Sequence, residues 1–258
     1  MVLTGDYHTH TPYSHGKNTV AENVEQAQKL GLKEIAITDH GFSHKAFALK
    51  RKAVSACKKE CLEAQEKYGV KVLMGIEANI RGYSGVTDLT EKDYENFDIF
   101  NCGFHVFISC KPYAHRYQYF WANLLARKLF HHASKSLIER NTKAYIEAIK
   151  QNPIDTLTHL SYVCPANTLE VAKCAADYGT YIELNSKKSH LTDEELMEIV
   201  EKTGARFIIN SDAHSKERVG DTKIVEEQLA RLPFPMDRID NIDGRVPNFR
   251  FAEYKKHL

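Results

Sequence analysis

Short apolar runs alternate with longer amphipathic stretches along the chain, and the apolar runs end in a histidine or a carboxylate. Such runs read as buried strands, while the stretches between them have helical period. The run at residues 2–7 leads into His8 and His10. Five later runs, at residues 34–38, 70–76, 97–104, 154–158 and 206–210, lead into Asp39 and His40, Glu77, His105, His159, and Asp212 with His214. The six endings predict strands whose C-terminal ends converge on one metal site.

The intervening stretches carry helix start and stop signals. Asn18 or Thr19 can cap a helix that runs to Leu30, and residues 45–68 form a longer amphipathic helix that Gly69 closes. Two later helices have comparable signals: Pro165 in the first turn and Gly179 after Tyr178, then a capping box of Thr192 and Glu195 before Gly204. Each stop precedes another apolar run, which is typical of repeated βα units.

Residues 181–184 and 206–210 count as the sixth and seventh strands of this series. Seven strands with helices between them predict an α/β fold that closes, or nearly closes, into a barrel. In such barrels the catalytic groups lie at the C-terminal ends of the strands, where the polar residues occur here. We expect one domain over residues 1–258.

The stretch from residue 106 to residue 134 interrupts the alternation because it is long, aromatic and basic. One interpretation is an extra helix that packs on the barrel or on a second subunit, with Leu124, Leu125 and Leu129 as its apolar face. The other is a lid over the substrate, in which a basic side chain meets an anionic group.

The composition of the chain restricts the kinds of binding partner that we expect. The chain has 258 residues, 43% of them hydrophobic and 27% charged, with a formal net charge of +1. This balance lacks the basic field that drives nucleic-acid binding, so we expect a small-molecule partner and leave a homo-oligomer open. The sequence has no apolar run of about 18 residues and no leader pattern, so we expect a cytoplasmic protein without membrane contact. Six cysteines are too few for a disulfide framework in a chain of this length.

The candidate ligands are imidazoles and carboxylates. His8 and His10 are two residues apart, so on a strand both reach the same side. A set without thiolates suits zinc, manganese or iron, and more than four ligands indicates more than one ion. Ions about 3.5–4 Å apart can stabilise the attacking and leaving oxygens of a phosphoryl displacement. The sequence therefore predicts metal-assisted phosphoester hydrolysis.

Five ordered motifs carry a family resemblance. They are HTH at residues 8–10, ITDHG at 37–41, GIEANI at 75–80, GFH at 103–105 and SDAH at 211–214. With these motifs the chain resembles the PHP (polymerase and histidinol phosphatase) superfamily, and GIEANI with the later IELNS segment makes it most similar to stand-alone bacterial phosphatases. The resemblance spans nearly the whole chain and implies a distorted seven-stranded (β/α) barrel of the TIM-like type with a trinuclear zinc site.

The resemblance also implies which residues bind each ion. The first ion would take His8, His10, Glu77 and Asp212; the second would take His15, His40 and His214; the third would take His105, His159 and Glu77, which bridges. Glu77, Asp212 and His214 would act catalytically by holding a metal-activated hydroxide. His131 and His132 compete with His159, but they lie in a predicted helix, whereas His159 ends an apolar run.

Other side chains have open roles. Asp39 either orients a ligand histidine or hydrogen-bonds the loop. Basic candidates for phosphate contact are Arg81, Arg218 and Arg116. Part of the loop at residues 185–190, which follows the sixth strand and ends in His190, is a further candidate for phosphate contact.

We expect two to three divalent ions, zinc foremost with manganese or iron as alternatives, and hydrolysis of small phosphomonoesters. Three alternatives stand beside this: a phosphatase specific for histidinol phosphate, an exonuclease or phosphodiesterase, and a non-catalytic metal-binding interaction module. The complete set of ligand residues argues against the last.

Overall fold

Seven strands form one parallel sheet in which the spatial order of the strands equals their order in the sequence. The computed structural model describes residues 1–111, 121–126 and 133–258. The strands are β1 (Gly5–Thr9), β2 (Glu34–Ile37), β3 (Lys71–Asn79), β4 (Ile99–Gly103), β5 (Thr156–Leu157), β6 (Tyr181–Asn185) and β7 (Phe207–Asn210). The residues just after β1 and β7 meet, since the His10 amide donates to the Ala213 carbonyl at 2.8 Å. The sheet is thus a nearly closed barrel, and the predicted fold is confirmed.

Helices occupy the connections between the strands. They are α1 (Val20–Lys29), α2 (Val54–Tyr68), α3 (Ala122–Leu125), α4 (Lys135–Gln151), α5 (Thr168–Tyr178), α6 (Asp193–Lys202), α7 (Lys223–Leu229) and α8 (Arg250–Lys255). Thr192 forms the predicted capping box with Glu195, and Thr19, one of the two predicted caps of the first helix, forms a capping box with Glu22 as well. Gly69 and Gly179 end α2 and α5 with φ near 69°, a left-handed conformation that glycine adopts without steric cost.

Two helices begin later than their sequence patterns predict. Helix α2 starts at Val54 rather than near residue 45, because the preceding segment follows the barrel rim: the Leu49 amide donates to the His40 carbonyl at 2.8 Å, and Leu49 is buried. Helix α5 starts at Thr168 rather than at Pro165, because the Asn167 side chain accepts from the Glu170 amide and caps it. In both places a tertiary or capping contact outweighs helical period.

The barrel interior below the C-terminal rim is apolar. Side chains from five strands contact one another in a small cluster of buried residues, which is separate from the main core between sheet and helices. Its buried members are Tyr7, Ala36, Ile99, Tyr181 and Ile208. This layer closes the barrel beneath the polar residues of the rim, so the site above it opens in one direction.

The stretch at residues 106–134 is described only in part. Residues 112–120 and 127–132 lie outside the described residues, and with them Arg116, His131, His132 and Leu129. Where the stretch is described, α3 packs on α4 through a reciprocal amide pair between Asn123 and Asn141, at 2.8 and 3.2 Å. This contact favours the packing interpretation at α3, and the lid stays a prediction.

Two further features bear on the expectations from composition. All six cysteines are buried and free. Within the described part of the chain, no helix has both the length and the apolar character needed to cross a membrane.

Candidate metal centre

Glu77 lies at the centre of the C-terminal rim. It is inside β3 rather than after it, since the strand continues to Asn79, and its side chain is buried. Its Oε1 atom lies 2.7 Å from His159 Nε2, 3.2 Å from His105 Nε2 and 3.3 Å from His8 Nε2. One carboxylate oxygen therefore faces three imidazoles from three different strand ends.

The second oxygen of Glu77 faces other imidazoles. Its Oε2 atom lies 2.8 Å from His40 Nδ1 and 3.7 Å from His10 Nε2. His10 Nε2 is in turn 3.4 Å from Asp212 Oδ1 and 3.1 Å from His8 Nε2. Glu77 is thus shared between groups of donors, which is the arrangement that a bridging carboxylate has between ions.

A further group of imidazoles comes from the segments that follow β1, β2 and β7. Ligand atoms of His10, His40 and His214 all lie within 4.8 Å of one another. The His15 ring centre is 4.2 Å from that of His214 and 4.8 Å from that of His40. The exposed ring of Phe47 stacks on His15 at 4.5 Å, which holds this imidazole against the group. The structure therefore brings all nine predicted ligand residues together.

Hydrogen bonds fix which nitrogen of two imidazoles is available. His8 Nδ1 lies 2.7 Å from Glu183 Oε1, and His105 Nδ1 lies 2.8 Å from Asn79 Oδ1. Both oxygens accept, so both Nδ1 atoms donate, and Nε2 is the atom of each ring that faces Glu77. Carboxylate and amide partners of this kind orient metal-binding histidines.

Unsatisfied buried atoms test whether the site fits divalent ions. Among the described residues, Glu77 Oε2, His105 Nε2 and His40 Nδ1 are buried without a hydrogen-bond partner, and so are the Nδ1 atoms of His10 and His159. Buried polar atoms without partners are costly, and so many in one place need a common partner. Lone pairs of nitrogen and carboxylate oxygen that face each other without a proton are satisfied by a cation. The residues present fit a metal centre.

The charge states also suit cations. Burial opposes ionisation of Glu77, but His105 and His8 hold its pKa well below its usual range, and His8 and His10 do the same for the pKa of Asp212. Burial lowers the pKa of His40 to about 3 and, with His214, the pKa of His15 to about 4. Anionic carboxylates and neutral imidazoles are the forms that bind metal ions.

His8 and His159 differ from His15 and His40 in the direction of their pKa shifts. Burial opposes their protonation, yet the nearby carboxylates prevail: Glu77 and Glu183 raise the pKa of both rings. An ion bound at these rings would take the place of a proton.

Two supporting residues, Glu183 and Asn79, are absent from the sequence prediction of the site, and a third, Lys187, lies on the loop that the sequence offers for phosphate contact. Glu183 accepts from His8 Nδ1, the His159 amide and Asn210 Nδ2, and Asn79 holds His105. Lys187 reaches Asp212 from the loop after β6. Glu183 and Asn79 stand in the IELNS and GIEANI motifs, which are signals of family but do not state which atom each side chain contacts.

Asp39 has a loop role in the structure. Its carboxylate accepts from the Thr11 amide at 2.8 Å, from the Thr11 hydroxyl at 2.6 Å and from the Ser14 hydroxyl. Of its two interpretations, these bonds favour the one in which Asp39 shapes the β1–α1 loop that carries His15.

The predicted phosphate contacts lie at varied places on the rim. Arg218 pairs with Asp221 and donates to the Ser186 carbonyl at 3.0 Å, and Arg81 Nε donates to the Ser109 carbonyl at 2.6 Å. The His190 ring is 5.8 Å from the His159 ring. Burial lowers the pKa of His190 to about 3, so this ring is neutral at neutral pH.

Known proteins are similar to this chain in sequence and in fold. The family model for the PHP domain matches residues 6–187. A probable phosphatase of Proteus mirabilis (strain HI4320) is 30% identical over 268 residues, covering 98% of this chain and 96% of the relative. Another, from Thermoanaerobacter sp. (strain X514), is 31% identical over 271 residues and covers 99% of this chain and 98% of its own.

One solved structure has the same fold at low identity. It is a histidinol phosphate phosphatase from Lactococcus lactis, crystallised with zinc, L-histidinol and phosphate. It superposes with a TM-score of 0.59 at 15% identity, covering 90% of this chain and 95% of the other. By its motifs, its barrel and the match of the family model, the chain belongs to the PHP domain family.

Proposed function

We propose that this metal-dependent phosphatase hydrolyses small phosphomonoesters at a centre of three divalent ions, with zinc as the first choice and manganese or iron as alternatives. The observation that carries the proposal is the position of Glu77. Its two buried oxygens face different groups of imidazole nitrogens at 2.7–3.7 Å, and Oε2 has no hydrogen-bond partner. A carboxylate placed in this way serves more than one ion.

The proposed assignment is the one that the family resemblance implies, and the distances support it. His8, His10, Glu77 and Asp212 would hold one ion, since their ligand atoms approach one another within 3.1–3.8 Å. His40, His214 and His15 would hold the second, and His105 with His159 would share Glu77 with the third.

The chemistry divides between ions and chain. Divalent ions at this site would lower the pKa of a water molecule and neutralise charge on the phosphoryl oxygens. Glu77, Asp212 and His214 fix where that charge is neutralised. Glu183 and Asn79 keep the rings of His8 and His105 aligned, so little reorganisation is needed when the phosphoryl group arrives. The apolar layer below the rim leaves one open side for the substrate.

The relatives support the reaction class. Two that cover nearly the whole chain are described as probable phosphatases, and the Lactococcus lactis structure holds zinc with phosphate and L-histidinol. A small phosphorylated metabolite is therefore the proposed substrate, and histidinol phosphate is one candidate within that class.

A substrate panel with matched variants tests the proposal. Zinc-loaded wild type, Glu77→Gln and Glu201→Gln are assayed for phosphate release from p-nitrophenyl phosphate and from metabolites that include histidinol phosphate. Gln keeps the shape of Glu77 but removes the charge that two ions would share, so we expect activity to fall by about 100-fold or more. Glu201 is exposed on α6, and its variant should keep wild-type activity.

Two outcomes of this assay would contradict different parts of the proposal. A folded, zinc-loaded wild type that releases phosphate from no member of the panel would refute the phosphatase assignment. Equal turnover by Glu77→Gln and wild type would leave a phosphatase but refute the central role of Glu77.

A further inference from the structure

We propose that Lys187, on the loop after β6, binds the phosphoryl group of the substrate above the metal centre. This inference rests on the proposed function. Lys187 Nζ lies 3.4 Å from Asp212 Oδ1 and 3.1 Å from His214 Nδ1, so its ammonium group is at the edge of the centre. Its side chain is 48% exposed, while that of Asp212 is only 10% exposed. Lys187 therefore stands between the buried ligands and the solvent side from which substrate arrives.

Hydrogen bonds anchor the loop that carries Lys187 to residues of the metal centre. Asn185 is buried, and its Oδ1 accepts from the Lys187 amide at 2.9 Å and the Lys188 amide at 3.2 Å. Its Nδ2 donates to Glu183 Oε2 at 2.9 Å. Since Glu183 also orients His8, one chain of hydrogen bonds links a metal ligand to the backbone of Lys187.

The charges indicate an anion as the partner of Lys187. Asp212 neutralises the ammonium in this structure. An ion bound by Asp212 and His214 would compete with Lys187 for the carboxylate of Asp212. Its positive charge would also repel the Lys187 ammonium, which lies within a few ångströms. The lysine side chain is long and half exposed, so it can turn outward, and a phosphoryl group at the ions offers it several acceptor oxygens.

Other basic side chains near the rim have different contacts. Arg218 is held by Asp221 and by the carbonyl of Ser186, next to Lys187 in sequence. That bond makes Arg218 a positioning residue for the loop. Lys188 has a different contact, with Nζ 5.3 Å from the ring centre of Tyr162. Lys187 and Lys188 share a loop and an anchor, but only Lys187 is paired with Asp212, which makes Lys188 a matched control for the loss of one charge from this loop.

Binding of inorganic phosphate tests the inference apart from turnover. Zinc-loaded wild type, Lys187→Met, Lys187→Arg and Lys188→Met are titrated with phosphate by calorimetry, with zinc content measured on each sample. Removal of one charge-assisted contact should weaken phosphate binding about 10-fold or more in Lys187→Met. Lys187→Arg should recover part of the loss, and Lys188→Met should stay within about twofold of wild type. Zinc content should be equal in all four proteins.

Steady-state kinetics on the same proteins adds a second readout. If Lys187 contacts the phosphoryl group, Lys187→Met should change KM or kcat for p-nitrophenyl phosphate in step with its loss of phosphate affinity, with partial recovery in Lys187→Arg. Wild-type phosphate affinity in Lys187→Met would overturn the inference. So would equal losses in Lys187→Met and Lys188→Met, or a loss explained by missing zinc.

The outcomes separate the inference from the proposed function. Turnover by wild type with unchanged phosphate affinity in Lys187→Met refutes only the role of Lys187. Absence of turnover on every substrate, together with phosphate binding that depends on Lys187, refutes only the phosphatase activity.

Discussion

The orientation of single imidazole rings decides whether the histidines of this chain act as ligands. His8 and His105 donate through Nδ1 to Glu183 and Asn79, which turns each Nε2 toward Glu77. Glu183 also accepts from the His159 amide, so one carboxylate holds residues of two of the proposed ion sites. The position of each candidate ligand ring therefore depends on the residues that hydrogen-bond to it, Glu183 and Asn79.

The candidate ligand residues could be proposed from the sequence, whereas the residues that support them could not. His8, Glu77 and Asp212 stand in short motifs at strand ends, where residue type and position are both informative. Glu183 contacts His8 across 175 residues of sequence, and nothing local states that these two side chains meet. The same holds for Lys187 and His214, which belong to different loops.

Glu183→Gln tests the orienting role at the residue scale. Oε1 of Glu183 accepts from His8 and Asn210, and Oε2 accepts from the His159 amide and Asn185. The amide nitrogen of Gln would replace one of these oxygens, so either His8 or the His159 amide loses its acceptor. We expect zinc affinity to fall by about 10- to 100-fold while the circular dichroism spectrum stays that of a folded barrel. Competition with a chromogenic chelator measures the affinity, and Glu201→Gln is the control. Unchanged affinity would show that Glu183 does not orient a ligand.

At the scale of elements, the strand ends bring the ligands together by close contact between neighbours. The alternation of apolar runs and capped helices is enough to predict seven strands and most helices. It does not predict that β5 has only two residues, Thr156 and Leu157, or that β1 has a register shift against β2 between Asp6 and Thr9. Such irregularities are common next to active sites, where they redirect side chains. The short β5 and the register shift of β1 depend on how side chains pack at the rim, and the spacing of hydrophobic residues in the sequence does not determine that packing.

Gly103, the last residue of β4, gives a prediction at this scale. A Cβ atom there would clash with Thr158 Oγ1 and lie 2.9 Å from His159 Cε1, so Gly103→Ala must displace the segment directly after β5. We expect a loss of about 1–3 kcal/mol in the free energy of unfolding, together with weaker zinc binding. Gly204→Ala is the control, because its Cβ would meet nothing nearer than Ala176 Cβ at 4.0 Å. Urea denaturation of both variants measures the difference; equal stability would mean that the β4–β5 contact is not tight.

At the scale of the whole molecule, closure of the barrel is what makes the centre. The ligands come from β1, β3 and the segments after β1, β2, β4, β5 and β7, and the contact between His10 and Ala213 joins the first and last of these. Buried side chains of five strands support the rim from below. The sequence could indicate this closure because the strand endings share one chemistry. The proposed division of the nine residues among ions is the one that the family resemblance implies, and the distances around Glu77 support it.

The number of ions that activity requires tests this account most directly. Chelator-treated protein is titrated with zinc, and phosphate release from p-nitrophenyl phosphate is measured at each ratio of zinc to chain. The account predicts little activity at about one equivalent and a plateau at about three, since Glu77 has to join separate ions before the phosphoryl group is held. Full activity at one equivalent, or none at any ratio, would contradict it.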